Sequence, residues 1–188
     1  VNYFVNVGST ATGGGVDYTL QAGSLTFNPG ETTKNISLVV IDDNLDENDE
    51  TVIVDLTSSV NADIGGLSSH TYTIQDNDAA PSFSIDDVTH SEGNSGTASY
   101  TFTVTKSGTT DLSTTVNFAT ANSAASAGSD YIATSGVLTF GSVEDSKTLT
   151  VLVNGDTTYE NNETFFVNLS VANNATISDG QGVGTITN

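Results

Sequence analysis

Tyr100-Thr101-Phe102-Thr103-Val104 decides the fold. Large apolar side chains alternate with threonine. Successive strand residues point to opposite faces, so this period of two sends one face to a core and the other to water. The alternation returns in Ser82-Phe83-Ser84-Ile85, Val116-Asn117-Phe118, Leu149-Thr150-Val151-Leu152-Val153, Phe165-Phe166-Val167-Asn168-Leu169 and Val183-Gly184-Thr185-Ile186. Gly, Asn, Asp and Ser clusters separate these runs, which is turn chemistry. No segment sustains the 3.6-residue period of a helix. About seven short strands in about 100 residues predict an all-β antiparallel sandwich, with a barrel as the alternative.

An internal repeat organises the chain. From Leu25 to Leu138 is 113 residues, and that displacement places Leu25-Thr26-Phe27 on Leu138-Thr139-Phe140. It also places Asp17-Tyr18 on Asp130-Tyr131, Glu31 on Glu144, Lys34 on Lys147, Glu47 on Glu160 and Glu50-Thr51 on Glu163-Thr164. With one residue of slack, Thr73-Ile74 meets Thr185-Ile186. Residues 82–113 have no upstream counterpart, and the second copy reaches Asn188 where the first continues Asp76-Asn77-Asp78. The expected organisation is an incomplete repeat over 1–78, without its N-terminal strands, and a nearly complete one over 79–188. Such a pair reads as a piece of a longer array.

The 188 residues carry 3 Lys and Arg against 23 Asp and Glu, a formal charge of −20. That charge excludes nucleic acid, whose phosphates need a basic face, and disfavours an anionic membrane surface. No apolar run approaches the roughly 18 residues of a membrane span. Without Cys there is no disulfide or thiolate chemistry. Catalysis is a poor fit: there is no Arg, no Trp for a sugar platform, and no nucleophile-elbow motif. The two histidines are His70, read in a strand, and His90, read in a polar loop.

Cations are the natural partners of this chain. The densest acidic run, Asp42-Asp43-Asn44-Leu45-Asp46-Glu47-Asn48-Asp49-Glu50, lies between the strand ending Val39-Val40-Ile41 and the one beginning Thr51-Val52. Crowded carboxylates repel one another unless a cation offsets them. An all-oxygen donor set favours Ca²⁺ over Mg²⁺. The run is not an EF-hand, because Glu47 stands where that loop needs Gly and Ile53 where it needs Glu. Solvated turn polarity is the alternative.

Taken in order, Asp17-Tyr18, Gly23-Ser24-Leu25-Thr26-Phe27-Asn28-Pro29-Gly30-Glu31, the acidic run and Ile74-Gln75-Asp76-Asn77-Asp78 resemble a Calx-β repeat. The second copy shows Ser91-Glu92-Gly93, Asp130-Tyr131, Gly136-Val137-Leu138-Thr139-Phe140, Glu160 to Glu163 and Gly184-Thr185-Ile186 in the same order. The resemblance implies two tandem immunoglobulin-like antiparallel β-sandwiches of the Calx-β type. It implies Ca²⁺ ligands at Asp17, Asp42, Asp43, Glu47, Glu50, Asp76 and Asp78 in the first repeat. In the second it implies Glu92, Asp130, Asp156, Glu160 and Glu163, with Gly155 replacing the first acid of the loop pair. Asp76-Asn77-Asp78-Ala79-Ala80-Pro81 is also similar to cadherin linkers, where Ca²⁺ stiffens a rod.

The expected role is a non-enzymatic calcium-binding module of an extracellular or cell-surface protein of bacterial type, adhesive or filamentous. Ca²⁺ would stiffen loop ends and the junction between repeats. The expected partners are calcium ions and neighbouring repeats of the same or an identical chain, extending to a head-to-tail homopolymer, with no nucleic acid and no membrane insertion. The alternatives are a purely structural repeat without an ion, a strand-exchanged fibre subunit, and a Ca²⁺-sensing regulatory domain.

Overall fold

The structure is a computed structural model that describes residues 1–188. The chain divides into two compact units, Val1–Asn77 and Asp78–Asn188. Every regular element is a strand, so no helix is long and apolar enough to cross a membrane.

The first unit contains β1 (Asn2–Val5), β2 (Tyr18–Thr19), β3 (Gly23–Ser24), β4 (Val39–Val40), β5 (Glu50–Thr57) and β6 (Ser69–Ile74). One antiparallel sheet runs β3-β1-β5-β6, and β2 pairs with β4 alone. Its core is small: Ala11, Tyr18 and Val52 are buried, with Val5, Leu20, Leu38, Val54 and Ile74 packed around them.

The second unit contains β7 (Ser82–Ile85), β8 (Val88–Ser91), β9 (Thr97–Ser107), β10 (Thr114–Asn122), β11 (Ser135–Phe140), β12 (Ser146–Asn154), β13 (Glu163–Asn173), β14 (Thr176–Ile177) and β15 (Gln181–Thr187). Two sheets form, β11-β10-β13-β15-β8 and β12-β9-β7-β14. They enclose Phe83, Tyr100, Phe102, Phe140, Val151 and Phe165, each 0% exposed. Tyr100, Phe102 and Val104 point inward from β9 while Thr101 is exposed, as the alternation requires. The two sheets are separate, which excludes a single closed barrel.

The sandwich is not wholly antiparallel. β7 runs parallel to β14 and β8 parallel to β15. Residues 82–91 begin in one sheet and finish in the other, and each half finds its partner there. Two acids hold the crossing. The Asp86 carboxylate accepts the Thr103 N–H of β9 at 2.6 Å, and the Asp87 carboxylate accepts the Val183 N–H of β15 at 2.7 Å. His90 therefore lies in strand β8 rather than in a loop, because its backbone pairs with Ile186.

The displacement of 113 residues maps β3-β1-β5-β6 onto β11-β10-β13-β15. The registers agree: Glu50 faces Ile74 as Glu163 faces Ile186. The opposite sheet has no such match. Residues 33–41 are the counterpart of β12, yet only Val39–Val40 is a strand. In the second unit β12 pairs along its whole length with β9, and β9 has no counterpart among residues 1–77. A strand without a ladder partner leaves its N–H and C=O groups unpaired by the chain and does not form. Phe27 shows the packing side of this: it is 45% exposed, whereas its counterpart Phe140 is fully buried. Phe140 packs on Phe83 with ring centroids 5.0 Å apart.

Phe140→Ala should therefore destabilise the second unit by about 3–5 kcal/mol. Phe27→Ala should cost the first unit less than about 1 kcal/mol. Denaturant unfolding of each variant checks this; similar losses would contradict the asymmetry between the units.

Candidate metal centre

Asp17 and Asp130 occupy the same turn in the two units. The Asp17 carboxylate accepts the Thr12 N–H, and the Asp130 carboxylate accepts the Ser126 N–H at 2.6 Å. The Asp17 C=O accepts the Ile41 N–H at 2.8 Å, and the Asp130 C=O accepts the Asn154 N–H at 2.8 Å. Gly15 (φ +97°) and Gly128 (φ +101°) adopt the left-handed backbone that lets the turn close. The following tyrosine locks each turn to its core. Tyr18 is 6% exposed, and Tyr131 is 1% exposed and stacks on Phe165 at 4.7 Å. The Asp-Tyr pair thus couples a carboxylate at the edge of the unit to an aromatic plug within it.

In the first unit one carboxylate oxygen from each of Asp17, Glu47 and Glu50 falls within 4.8 Å of the others. Asp17 comes from the turn before β2, Glu47 from the acidic loop and Glu50 from the start of β5. Asp42 and Asp43 are exposed and are not drawn into this group; the Asp43 carboxylate instead accepts the Leu45 N–H at 2.9 Å. Asp76 is half-buried, and its N–H donates to the Asp49 carboxylate at 3.1 Å. Asp78 begins the second unit.

Two acids of the run were missed by the repeat comparison. Asp49 ties the acidic loop to the end of β6, and Asp46 is buried at 9% exposure. By the displacement of 113 they fall on Asn162 and Tyr159, so no acidic partner marks them. The burial of Asp46 and the bonding of the exposed Asp49 follow from the path of the loop.

In the second unit Glu160 and Glu163 lie within electrostatic reach of Glu92 and Asp130, and Glu160 also of Asp156, although no three of these acids' oxygens gather as tightly as in the first. The Glu163 carboxyl is raised above its ordinary value by burial first, then by the charges of Asp130, Glu160 and Glu92. Glu160 is raised by burial first, then by Asp156, Glu92 and Asp130. Burial, reinforced by the Glu92 charge, also pushes the Tyr100 hydroxyl up to about 12. Asn188 donates from Nδ2 to Glu92 Oε1 at 2.9 Å and to the Thr158 C=O at 3.0 Å.

The donor set is oxygen only and anionic, which suits a hard divalent cation and not a transition metal. With calcium–oxygen bonds of about 2.3–2.6 Å, two ligands on one ion lie up to about 5 Å apart. The Asp17–Glu47–Glu50 group fits that dimension.

The chain matches the Calx-beta domain over residues 1–78 and again over 75–186. Sodium/calcium exchanger 1 of Canis lupus familiaris is 32% identical over 175 residues, which is 82% of this chain and 18% of the exchanger. Sodium/calcium exchanger 2 of Mus musculus is 31% identical over 187 residues, 90% of this chain and 20% of the exchanger. The chain thus spans about a fifth of the length of these relatives. Among solved structures, the apo-form Calx CBD1 domain superposes with a TM-score of 0.53 at 20% identity, covering 57% of this chain and 96% of that one. CBD12 from CALX1.2 superposes with a TM-score of 0.51 at 20% identity, covering 55% and 43%. These superpositions establish the fold.

The raised carboxyls set a sign for pH dependence. Glu160 and Glu163 take up protons in the folded state at a higher pH than in the unfolded chain, so their contribution to stability rises as pH falls from neutral toward 4.5. Glu31 and Glu144 are held below the ordinary value, first by the N–H of Asn28 and Gly141 and then by Lys34 and Lys147. Their contribution is lost as pH falls below 4.5. Thermal unfolding in chelator should therefore show the second unit gaining stability between pH 7 and 4.5. Glu160→Gln with Glu163→Gln should raise its melting temperature at pH 7 and flatten that gain; an unchanged profile would remove the repulsion from the account.

Proposed function

The chain belongs to the Calx-beta domain family, and on that premise we propose that it is a tandem calcium-binding module acting by binding rather than by catalysis. The observation that carries this reading is the Asp17–Glu47–Glu50 group, three carboxylates from separate segments within 4.8 Å. A bound Ca²⁺ would neutralise their repulsion and cross-link the Asp17 turn, the acidic loop and the start of β5. In the second unit Glu92, Asp130, Asp156, Glu160 and Glu163 would do the same for β8, β12 and β13. Asp42, Asp43 and Asp76 complete the proposed ligand set of the first unit, Asp76 being held near the acidic loop by Asp49.

The module stiffens a longer repeat protein at the cell surface or in a filament, with calcium acting at loop ends. Support comes from the tandem arrangement, the charge of −20 and the absence of Cys. A calcium-sensing role is the second reading, and it rests on the identity of 32% to a sodium/calcium exchanger. Affinity separates the two: sensing needs Kd of about 10⁻⁷–10⁻⁵ M, while an extracellular structural site works at about 10⁻⁴–10⁻³ M.

At a Ca²⁺ concentration 100 times Kd, the binding unit should gain about 2.7 kcal/mol of stability over chelator. A melting-temperature shift with Ca²⁺ and none with equal Mg²⁺ is the expected result. Asp17→Ala with Glu50→Ala should remove the first unit's share of the calorimetric isotherm and leave the second unit's. A full-size isotherm in that variant would reject the first site, and no shift at millimolar Ca²⁺ would reduce the chain to a structural repeat.

A further inference from the structure

Asn154-Gly155 is the chain's one asparagine–glycine step. Asparagine before glycine loses its amide readily, because no side chain shields the glycine nitrogen. We propose that this step is a deamidation site that the folded second unit holds shut, and that a calcium ion on that unit's acids holds tighter still. The calcium clause rests on the function proposed above; the site itself does not.

The chemistry needs only water. The Gly155 nitrogen bonds to the Asn154 side-chain carbonyl carbon, and the side-chain nitrogen leaves as ammonia, taking the Gly155 proton. Water then opens the five-membered imide at either carbonyl, giving aspartate or isoaspartate. To begin, the backbone has to turn at Asn154 so that the attacking nitrogen reaches that carbon.

The fold opposes each part of that motion. Asn154 ends β12 opposite Thr97 of β9, so its backbone is extended. Its N–H donates to the Asp130 C=O at 2.8 Å. Its Nδ2 donates to the Ser129 C=O at 2.6 Å and the Gly128 C=O at 3.4 Å. The Gly155 N–H donates to the Gly96 C=O at 3.0 Å. The attacking nitrogen is thus bound to the loop before β9, and the leaving nitrogen to the turn before Asp130. Ring closure waits until both let go.

The fold also demands glycine at 155. A Cβ there would stand 2.5 Å from the Glu92 C=O and 2.8 Å from the Gly93 C=O, so any side chain would force that loop away. The first unit has Ile41 and the exposed Asp42 at the equivalent positions. It keeps the main-chain bond, from the Ile41 N–H to the Asp17 C=O at 2.8 Å. The side-chain bonds from Asn154 belong to the second unit alone.

Three of the second unit's proposed ligands border this step. The Glu92 backbone lies against Gly155, Asp130 accepts the Asn154 N–H, and Asp156 follows in the chain. An ion shared by these acids would tie together the segments that have to separate. After conversion, residue 154 offers a carboxylate to the carbonyls of Gly128 and Ser129 and donates nothing to them. The Asp130 turn then loses its side-chain clasp.

The test incubates the full chain at mildly alkaline pH in excess Ca²⁺, in chelator, and in chelator with denaturing urea. Peptide mapping follows aspartate and isoaspartate at position 154. Conversion in chelator should be at least about tenfold slower folded than in urea. Ca²⁺ at about 100 times Kd should slow it at least about tenfold more. Equal rates in the folded and unfolded chain would overturn the site. Calorimetry on the chain carrying Asp17→Ala and Glu50→Ala isolates the second unit's binding and separates the two readings. Binding there with an unchanged rate would overturn the calcium clause alone. No binding there would overturn that clause and the second unit's proposed function together, while the chelator and urea rates still decide the site. Asn154→Asp mimics the aspartate product: amide exchange at Gly128 and Asp130 should quicken at least about tenfold. Unchanged exchange would overturn the consequence assigned to the modification.

Discussion

A β-strand persists only where a neighbouring backbone completes its ladder and a second layer covers its apolar face. Both units obey this constraint, with opposite results. In the second, β9 runs between β7 and β12 and turns three segments into a sheet. Phe83 arrives with β7 and gives Phe140 a ring to pack against. In the first, nothing plays the part of β9, and the consequences spread in sequence order. The counterpart of β12 shrinks to Val39–Val40, Phe27 stays 45% exposed, and the buried core contracts to Ala11, Tyr18 and Val52. One missing partner accounts for all three.

The acidic ends of the units live under a second constraint, electrostatic rather than steric. Asp17 and Asp130 cannot relax away from their neighbours, because Tyr18 and Tyr131 are buried plugs and the turn hydrogen bonds are closed. Fixed carboxylates in a partly desolvated place raise one another's proton affinity, as at Glu160 and Glu163. The rigidity that keeps the acids together is the same rigidity that prepares oxygens for a hard cation. The units differ in degree: three oxygens meet within 4.8 Å in the first, while in the second the acids are spread and Asn188 spends its amide on Glu92.

Much of this was legible in the chain itself. The alternation in Tyr100–Val104 located a core strand, and the displacement of 113 aligned Asp17 with Asp130 and Glu50 with Glu163. Asp46 and Asp49 escaped because their aligned residues are Tyr159 and Asn162, and a comparison between copies sees only what both copies share. Asp86 and Asp87 read as ordinary loop polarity, yet each reaches a different sheet. The parallel pairings of β7 and β8 were hidden for a related reason: alternation reports which face a residue occupies and carries no information about strand direction.

What the sequence determined by itself is local and periodic: strand, turn, repeat, and the sign and crowding of the charge. These follow from side-chain alternation and composition, which need no knowledge of distant residues. Tertiary structure decided which strands found partners, which acids met, and which apolar residues were covered. Asp42 and Asp43 sit in the densest acidic run yet stay exposed, while Asp17, from 30 residues or so before the acidic loop's Glu47, joins Glu47 and Glu50. Proximity of that kind is set by ladder register and chain path, where the geometry of the whole unit outweighs the spacing along the chain.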